Sequence, residues 1–98
     1  MIHHIWTQTA VKYNVANWTW GERELVQEII AGGRWDETGA WMKKNPDKKK
    51  KAIRLLCKIE NRHFDETKDY KDIDLTVKDV QLLARKVLGI ELTLKVIS

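Results

Sequence analysis

The sequence predicts an α+β fold in which about three helices pack on a small sheet formed by the N-terminal and C-terminal strands. Two observations support this prediction. Apolar and polar residues alternate at both ends of the chain, and the three segments between them have apolar residues at helical spacing. A chain of 98 residues, 43% of them hydrophobic, is enough for one modest core, so we expect residues 1–98 to form a single compact domain.

The first predicted element is a strand over residues 4–15. Residues that favour strands occupy every second position, namely Thr7, Thr9, Val11, Tyr13 and Val15. A helix follows, because Thr19 and Glu22 have the spacing of a capping box. Its predicted buried stripe consists of Leu25, Val26, Ile29 and Ile30. Gly32-Gly33 ends this helix.

Residues 34–42 leave two interpretations open. Asp36-Glu37-Thr38-Gly39 suits a type I turn followed by a left-handed glycine, which is the connection of a bulged hairpin. A short hairpin would set Trp35 opposite Trp41, a favourable aromatic pair. The alternative is a plain loop in which both tryptophans pack on the core.

A basic helix is predicted from about Pro46 to Arg62. Proline is favoured at the first helical position, and Asn45 can cap ahead of it. Lys48-Lys49-Lys50-Lys51 then lie where the partial positive charge of the helix N-terminus repels them, and Asp47 offsets only part of this repulsion. A negatively charged partner, a neighbouring acidic segment or solubility must therefore favour the lysines.

The last third of the chain predicts a connection, a helix and a strand. Residues 64–75 form a charged connection that contacts the core through Phe64, Tyr70, Ile73 and Leu75. Thr76 caps the helix, with Asp79 three residues later, and Gly89 ends it. Its predicted buried face is Val80, Leu83, Ala84 and Val87. The strand that follows alternates, with inward residues Ile90, Leu92, Leu94 and Val96.

Charge is distributed unevenly along the chain. Residues 43–62 carry nine basic and two acidic residues, a net charge of +7, whereas residues 63–79 carry a net charge of −3. A linear array of cations on a helix suits the neutralisation of phosphates. The candidate polyanion-binding residues are Lys48, Lys49, Lys50, Lys51, Arg54, Lys58 and Arg62. The alternative is that these charges are solvated and partly compensated by the acidic stretch at 65–79.

Five tryptophans are a large number for so short a chain. One cluster interleaves aromatic and basic residues, and it is a candidate partner or base-stacking surface: Arg34, Trp35, Trp41, Lys43 and Lys44. The other three tryptophans, Trp6, Trp18 and Trp20, are expected in the core or in a subunit interface.

No catalytic, cofactor-binding or metal-binding signature is found in the sequence. Cys57 and His63 lack a second cysteine pair for zinc and an orienting third group for nucleophilic catalysis. Cys57 lies on the apolar side of its helix, where a small buried thiol is the ordinary interpretation. We therefore expect a protein that is not an enzyme and that holds no cofactor.

The leading functional hypothesis is a small non-enzymatic protein-interaction or assembly module. Two strands alone make a marginal sheet, so the terminal strands should pair on the helices, recruit the Trp35–Trp41 segment or pair with another subunit. A protein partner or self-association is expected. The alternative is a nucleic-acid-binding protein that uses the basic helix 46–62.

The setting expected for this protein is intracellular. Residues 1–8 have neither a basic region nor a long apolar region, so no secretory signal is expected, and no stretch is apolar enough to span a membrane. In being short, tryptophan-rich and lysine-rich, the chain is similar to many small phage or accessory proteins.

Overall fold

The computed structural model describes residues 2–11 and 17–97. These residues form four helices and a two-stranded antiparallel sheet, which confirms the α+β class and the pairing of the two terminal strands. The elements are β1 (His3–Ala10), α1 (Trp20–Ile30), α2 (Trp35–Lys44), α3 (Pro46–Ile59), α4 (Val77–Leu83) and β2 (Ile90–Ile97). A π-helical turn, Ala84–Leu88, continues α4 to Gly89.

The sheet pairs the two terminal strands along their full length, from His3 opposite Ile97 to Ala10 opposite Ile90. The first strand is thus shorter than the predicted 4–15, and positions 13 and 15 lie outside the described residues. One face of the sheet packs on the helices through Trp6 and Leu92, which are 6% and 1% exposed.

The predicted inward set of the last strand is only partly correct. Leu92 is buried, and Ile90 and Leu94 are half-buried against the core. Val96 is 56% exposed although it shares their face. Its strand partner His4 is exposed as well, so the helical layer ends before this end of the sheet.

Helix α1 begins as its capping box predicts. The Glu22 amide donates to Thr19 Oγ1 at 3.1 Å, and the Thr19 amide donates to Glu22 Oε1 at 2.9 Å. Its buried residues are Val26, Ile29 and Ile30, with Leu25 half-buried beside them. Gly33 follows with a φ of +70°, a conformation that glycine adopts at little cost.

Residues 35–44 form a helix, so the hairpin and the loop are both wrong as secondary structure, although Trp35 and Trp41 pack on the core as the loop interpretation held. Acidic residues occupy its first turn and basic residues its last, which suits the helix dipole. Thr38 and Met42, four residues apart, are buried against the core, and this burial outweighs the turn chemistry of Asp36 to Gly39. Gly39 sits inside the helix at an exposed position.

Helices α3 and α4 match their sequence predictions closely. Helix α3 starts at Pro46 and ends at Ile59, three residues before the predicted end, near Asn61 with its φ of 55°. Asn45 makes no side-chain cap; its Nδ2 donates to the Trp41 carbonyl at 2.8 Å. Helix α4 carries the predicted capping box, and its four predicted buried residues, Val80, Leu83, Ala84 and Val87, are all buried.

A hydrophobic core draws on every helix and on both strands. Its buried residues include Trp6 from β1, Ile29 from α1, Met42 from α2, Leu56 from α3, Leu83 from α4 and Leu92 from β2. Within the described ranges, no helix combines the length and apolarity that crossing a lipid bilayer requires.

Candidate functional site

The basic helix α3 packs between two sets of carboxylates. On the α1 side, Lys48 Nζ lies 2.5 Å from Glu28 Oε2 and Lys58 Nζ lies 3.5 Å from Glu22 Oε2. On the side of the 60–75 connection, Arg54 Nη2 lies 2.7 Å from Glu66 Oε2. The acidic stretch therefore compensates the helix, as one of the two sequence interpretations held, and α1 adds a second set.

Lys49 has an internal role. Its side chain is 4% exposed, and its ammonium group donates to the Lys71 carbonyl at 2.9 Å and to Asp74 Oδ1 at 3.2 Å. Lys50 Nζ donates to the Glu66 carbonyl at 3.1 Å. These two lysines thus tie the connection to α3.

Two further members of the candidate polyanion set complete the picture. Arg62 Nη2 lies 3.1 Å from Glu60 Oε1. Lys51 is exposed and has no ion pair within residues 2–11 and 17–97. Of the seven candidate cations, Lys51 is thus the one that the described residues leave without a hydrogen bond or ion pair.

Cations of α3 also cover aromatic rings. Lys48 Nζ is 5.5 Å from the centre of the Trp41 ring, and Lys58 Nζ is 5.1 Å from that of Trp18. Arg54 lies 5.1 Å from the centre of the Phe64 ring. Such contacts are attractive because the ring face is electronegative. The cations of this chain therefore lie over the ring faces on which a nucleic-acid base would have to stack.

The titration of Glu22, in the first turn of α1, responds to these contacts. Partial burial raises its pKa, but the hydrogen bonds from the Thr19 amide and hydroxyl and the charge of Lys58 outweigh burial. The net result is a pKa below its usual value of 4.5. The ionised carboxylate therefore stabilises both the start of α1 and its packing against α3.

The second candidate surface, Arg34 to Lys44, is divided by the helix that these residues form. Trp35 contacts Trp6 edge to face, with ring centres 5.6 Å apart, and Trp41 packs on the core at another side of α2. Arg34 is half-buried and donates to His3 Nδ1 and to Asp36. Lys43 and Lys44 are exposed.

The remaining tryptophans differ in burial. Trp6 is buried, and Trp18 is half-buried with its Nε1 donating to the Lys86 carbonyl at 2.8 Å. Trp20 is 78% exposed at the first position of α1. Its helical position lies outside the stripe of Val26 and Ile29, and this periodicity is the signal that could have placed it outside the core.

The chain covers the outer edge of β1 at Ile5 and Trp6. The Trp6 amide donates to the Gly33 carbonyl at 2.7 Å, and Ile5 and Arg34 form an antiparallel bridge. The segment between α1 and α2 therefore adds a short second pairing to β1, on the side away from β2.

The outer edge of β2 is covered over its first half only. Gln81 Nε2 donates to the Leu92 carbonyl at 3.0 Å, and Arg85 Nη2 lies 3.0 Å from Glu91 Oε1. Beyond Thr93, no described residue outside β1 pairs with the strand. We call residues 93–97 of β2 the open edge.

The direction of the backbone groups on the open edge follows from the alternation of an antiparallel ladder. Since the Trp6 amide points away from β2, Trp6 and Leu94 form a non-hydrogen-bonded pair, as do His4 and Val96 two residues on. The amides and carbonyls of Leu94 and Val96 thus point outward. Apolar side chains at this end are exposed as well: Ile2, Val96 and Ile97 at 66%, 56% and 37%.

Other chemistry finds little support in the described geometry. Residues 2–11 and 17–97 contain no group of three or more His, Cys, Asp and Glu side chains that could hold a metal ion. Cys57 is a buried free thiol, as its place on the apolar side of α3 predicted. No protein-family model, curated protein or solved structure matches the chain.

Proposed function

We propose that this chain is a non-enzymatic assembly module that binds a β-strand of a protein partner along the open edge of β2. The observation that carries the proposal is the outward direction of the Leu94 and Val96 backbone groups, next to the 56% exposed Val96 side chain. A strand added to such an edge gains main-chain hydrogen bonds, and pockets for alternate side chains give specificity.

The size of the sheet supports the same proposal. Isolated two-stranded sheets are marginal, and exposed edges are usually shielded by charge, proline or a covering element. Here Gly33 and Arg34 cover the β1 edge at Trp6 and Ile5, and Gln81 covers part of the β2 edge at Leu92. Within residues 2–11 and 17–97, no element outside β1 pairs with the strand at Leu94, Val96 or Ile97, and Lys95 is the one charged residue among them.

The nucleic-acid alternative draws less support. Most candidate cations of α3 bind carboxylates or carbonyls of the same chain, and Lys49 is buried. Phosphate binding would have to replace these contacts. The free energy gained would therefore be smaller than for phosphate binding to cations that have no partner.

Site-specific photocrosslinking tests the proposed function. A photoreactive benzoyl-phenylalanine replaces Val96 in one variant and the exposed Asp72, in the connection before α4, in a matched control. In cells that make the protein, we expect a discrete adduct from position 96 and none from position 72. Equal yields at both positions, or no adduct at position 96, would reject the open edge as a contact.

A further inference from the structure

We propose that the strand bound at the edge of β2 is β2 of a second copy of this chain, in the antiparallel register centred on Thr93. This inference rests on the function proposed above and names its partner. It is carried by a symmetry in the sequence of β2. About Thr93, the flanking residues match in pairs of like or complementary chemistry, namely Leu92 with Leu94, Glu91 with Lys95, and Ile90 with Val96.

In the Thr93-centred register each residue of these pairs lies opposite its match on the other copy. Glu91 faces Lys95 of the second copy, twice, and Thr93 faces Thr93. Opposite charges and threonine pairs directly across an antiparallel ladder are stabilising. The contact is isologous, because the same patch on both copies meets under a two-fold axis.

The backbone groups fit this register. The outward amides and carbonyls belong to the even-numbered residues, and in this register Leu92 and Leu94 of the two copies become hydrogen-bonded pairs. The Leu92 carbonyl then accepts from the incoming Leu94 amide in place of Gln81 Nε2. Gln81 therefore acts as a cover that strand pairing displaces.

The side chains fit as well. The exposed Val96 comes to lie opposite Ile90 of the second copy, on the same side of the joined sheet as the core. The joined sheet has four main strands, which is more stable than two. Glu91 then lies between Arg85 of its own copy, 3.0 Å away, and Lys95 of the other, so one carboxylate serves two cations.

Neighbouring registers lack these features. Centring the pair on Lys95 would set two lysines directly opposite each other, which is destabilising. Centring it on Leu94 would place Lys95 opposite Thr93 and Glu91 opposite Ile97, so no charges of opposite sign would meet. Charge complementarity thus favours the Thr93-centred register over both.

The first measurement is sedimentation equilibrium of the purified chain with its charge variants. We expect a reversible dimer for the wild type, and a dimer dissociation constant about tenfold higher or more for Lys95→Glu and for Glu91→Lys. An equimolar mixture of the two variants should regain the wild-type affinity, because each then offers the charge that the other lacks. Failure of the mixture to recover, or a Lys95→Glu variant that dimerises like the wild type, would overturn this register.

A second variant keeps the inference falsifiable if Glu91→Lys, which also loses its contact with Arg85, fails to fold. Thr93→Cys should form a disulfide-linked dimer on mild oxidation, because non-hydrogen-bonded pairs bring opposite Cβ atoms close together. Lys95→Cys should not form such a dimer, because the two cysteines at position 95 lie several residues apart along the strands in this register. A Lys95→Cys dimer without a Thr93→Cys dimer would contradict the proposal.

The two proposals fail separately. A strictly monomeric wild type whose position 96 still crosslinks to another protein in cells would end the self-pairing inference and leave the open edge as the contact. A monomer with no crosslink at position 96 would end both.

Discussion

Lys49 and Asp74 form an ion pair of 3.2 Å in which the lysine is 4% exposed and the carboxylate 77% exposed. A lysine from a run of four like charges is thus buried in the interior, where it holds the 60–75 connection against α3. The lysine run therefore has at least one structural member, and its high charge density alone says little about a ligand.

Replacing Lys49 with methionine should lower the free energy of unfolding by about 1–2 kcal/mol, because the hydrogen bonds to the Lys71 carbonyl and Asp74 are lost. Urea denaturation measures the change. The matched control is Lys51→Met on the same helix, whose exposed side chain should matter by less than about 0.5 kcal/mol. Equal effects of the two substitutions would contradict the structural role of Lys49.

Replacing Gly39 with alanine should raise the free energy of unfolding by about 0.5–1 kcal/mol. Gly39 lies inside α2, and an added Cβ would meet nothing within 4 Å, so the helix propensity of alanine decides the sign. The opposite result is expected for Gly33→Ala, where space is also open but the φ of +70° is strained for alanine, at a cost of about 1 kcal/mol. A destabilising Gly39→Ala would favour the hairpin over the helix.

Acid should weaken the protein partly through Glu22. Its pKa lies below the usual 4.5, so its contribution to stability is fully present above that pH and is lost as the pH falls through its lowered pKa. The Glu22→Gln variant should therefore lose less stability than the wild type between about pH 5 and about pH 2. Urea denaturation at several pH values tests this expectation. A Glu22→Gln variant that keeps the wild-type pH dependence would contradict this role of Glu22.

A fluorescent single-stranded oligonucleotide should bind weakly, with affinity confined to low salt. Binding that persists at about 0.15 M salt with a steep salt slope would instead favour the nucleic-acid alternative. In that case charge reversal at Lys50, Lys51 and Arg54 should abolish binding with the fold intact. Lys78→Glu, on the exposed side of α4, is the control for general loss of positive charge.

Local signals in the sequence were enough for three of the helices and for the two strands. Thr19 and Thr76 start their helices through capping boxes that join residues three positions apart, and Pro46 starts α3 through its own fixed φ. The alternation of β2 likewise required no knowledge of its neighbours.

Helix α2 could not be predicted in this way, since two kinds of signal conflict there. Asp36 to Gly39 has the chemistry of a turn, whereas the burial of Thr38 and Met42 depends on α1 and α3 packing beside them. Tertiary contact decides such cases.

The candidate functional surfaces also depend partly on local sequence signals and partly on tertiary packing. An exposed sheet edge was expected from the count of strands, but the coverage of the first half of β2 by Gln81 depends on where α4 lies. Compensation of the lysines by the acidic stretch was one of the two interpretations that the sequence left open. Compensation by Glu22 and Glu28 was not, because the packing of α1 against α3 is not a local property.

The pairing of His3 with Ile97 determines how the protein should respond to stretching. A force that pulls the two strands apart from that end acts along the hydrogen bonds, which run perpendicular to antiparallel strands. The bonds then break one pair after another, as in a zipper, and they do not resist as a group. We therefore expect the sheet to open at low force while the helices still hold the core, and to close last on refolding, because its strands are separated by nearly the whole chain.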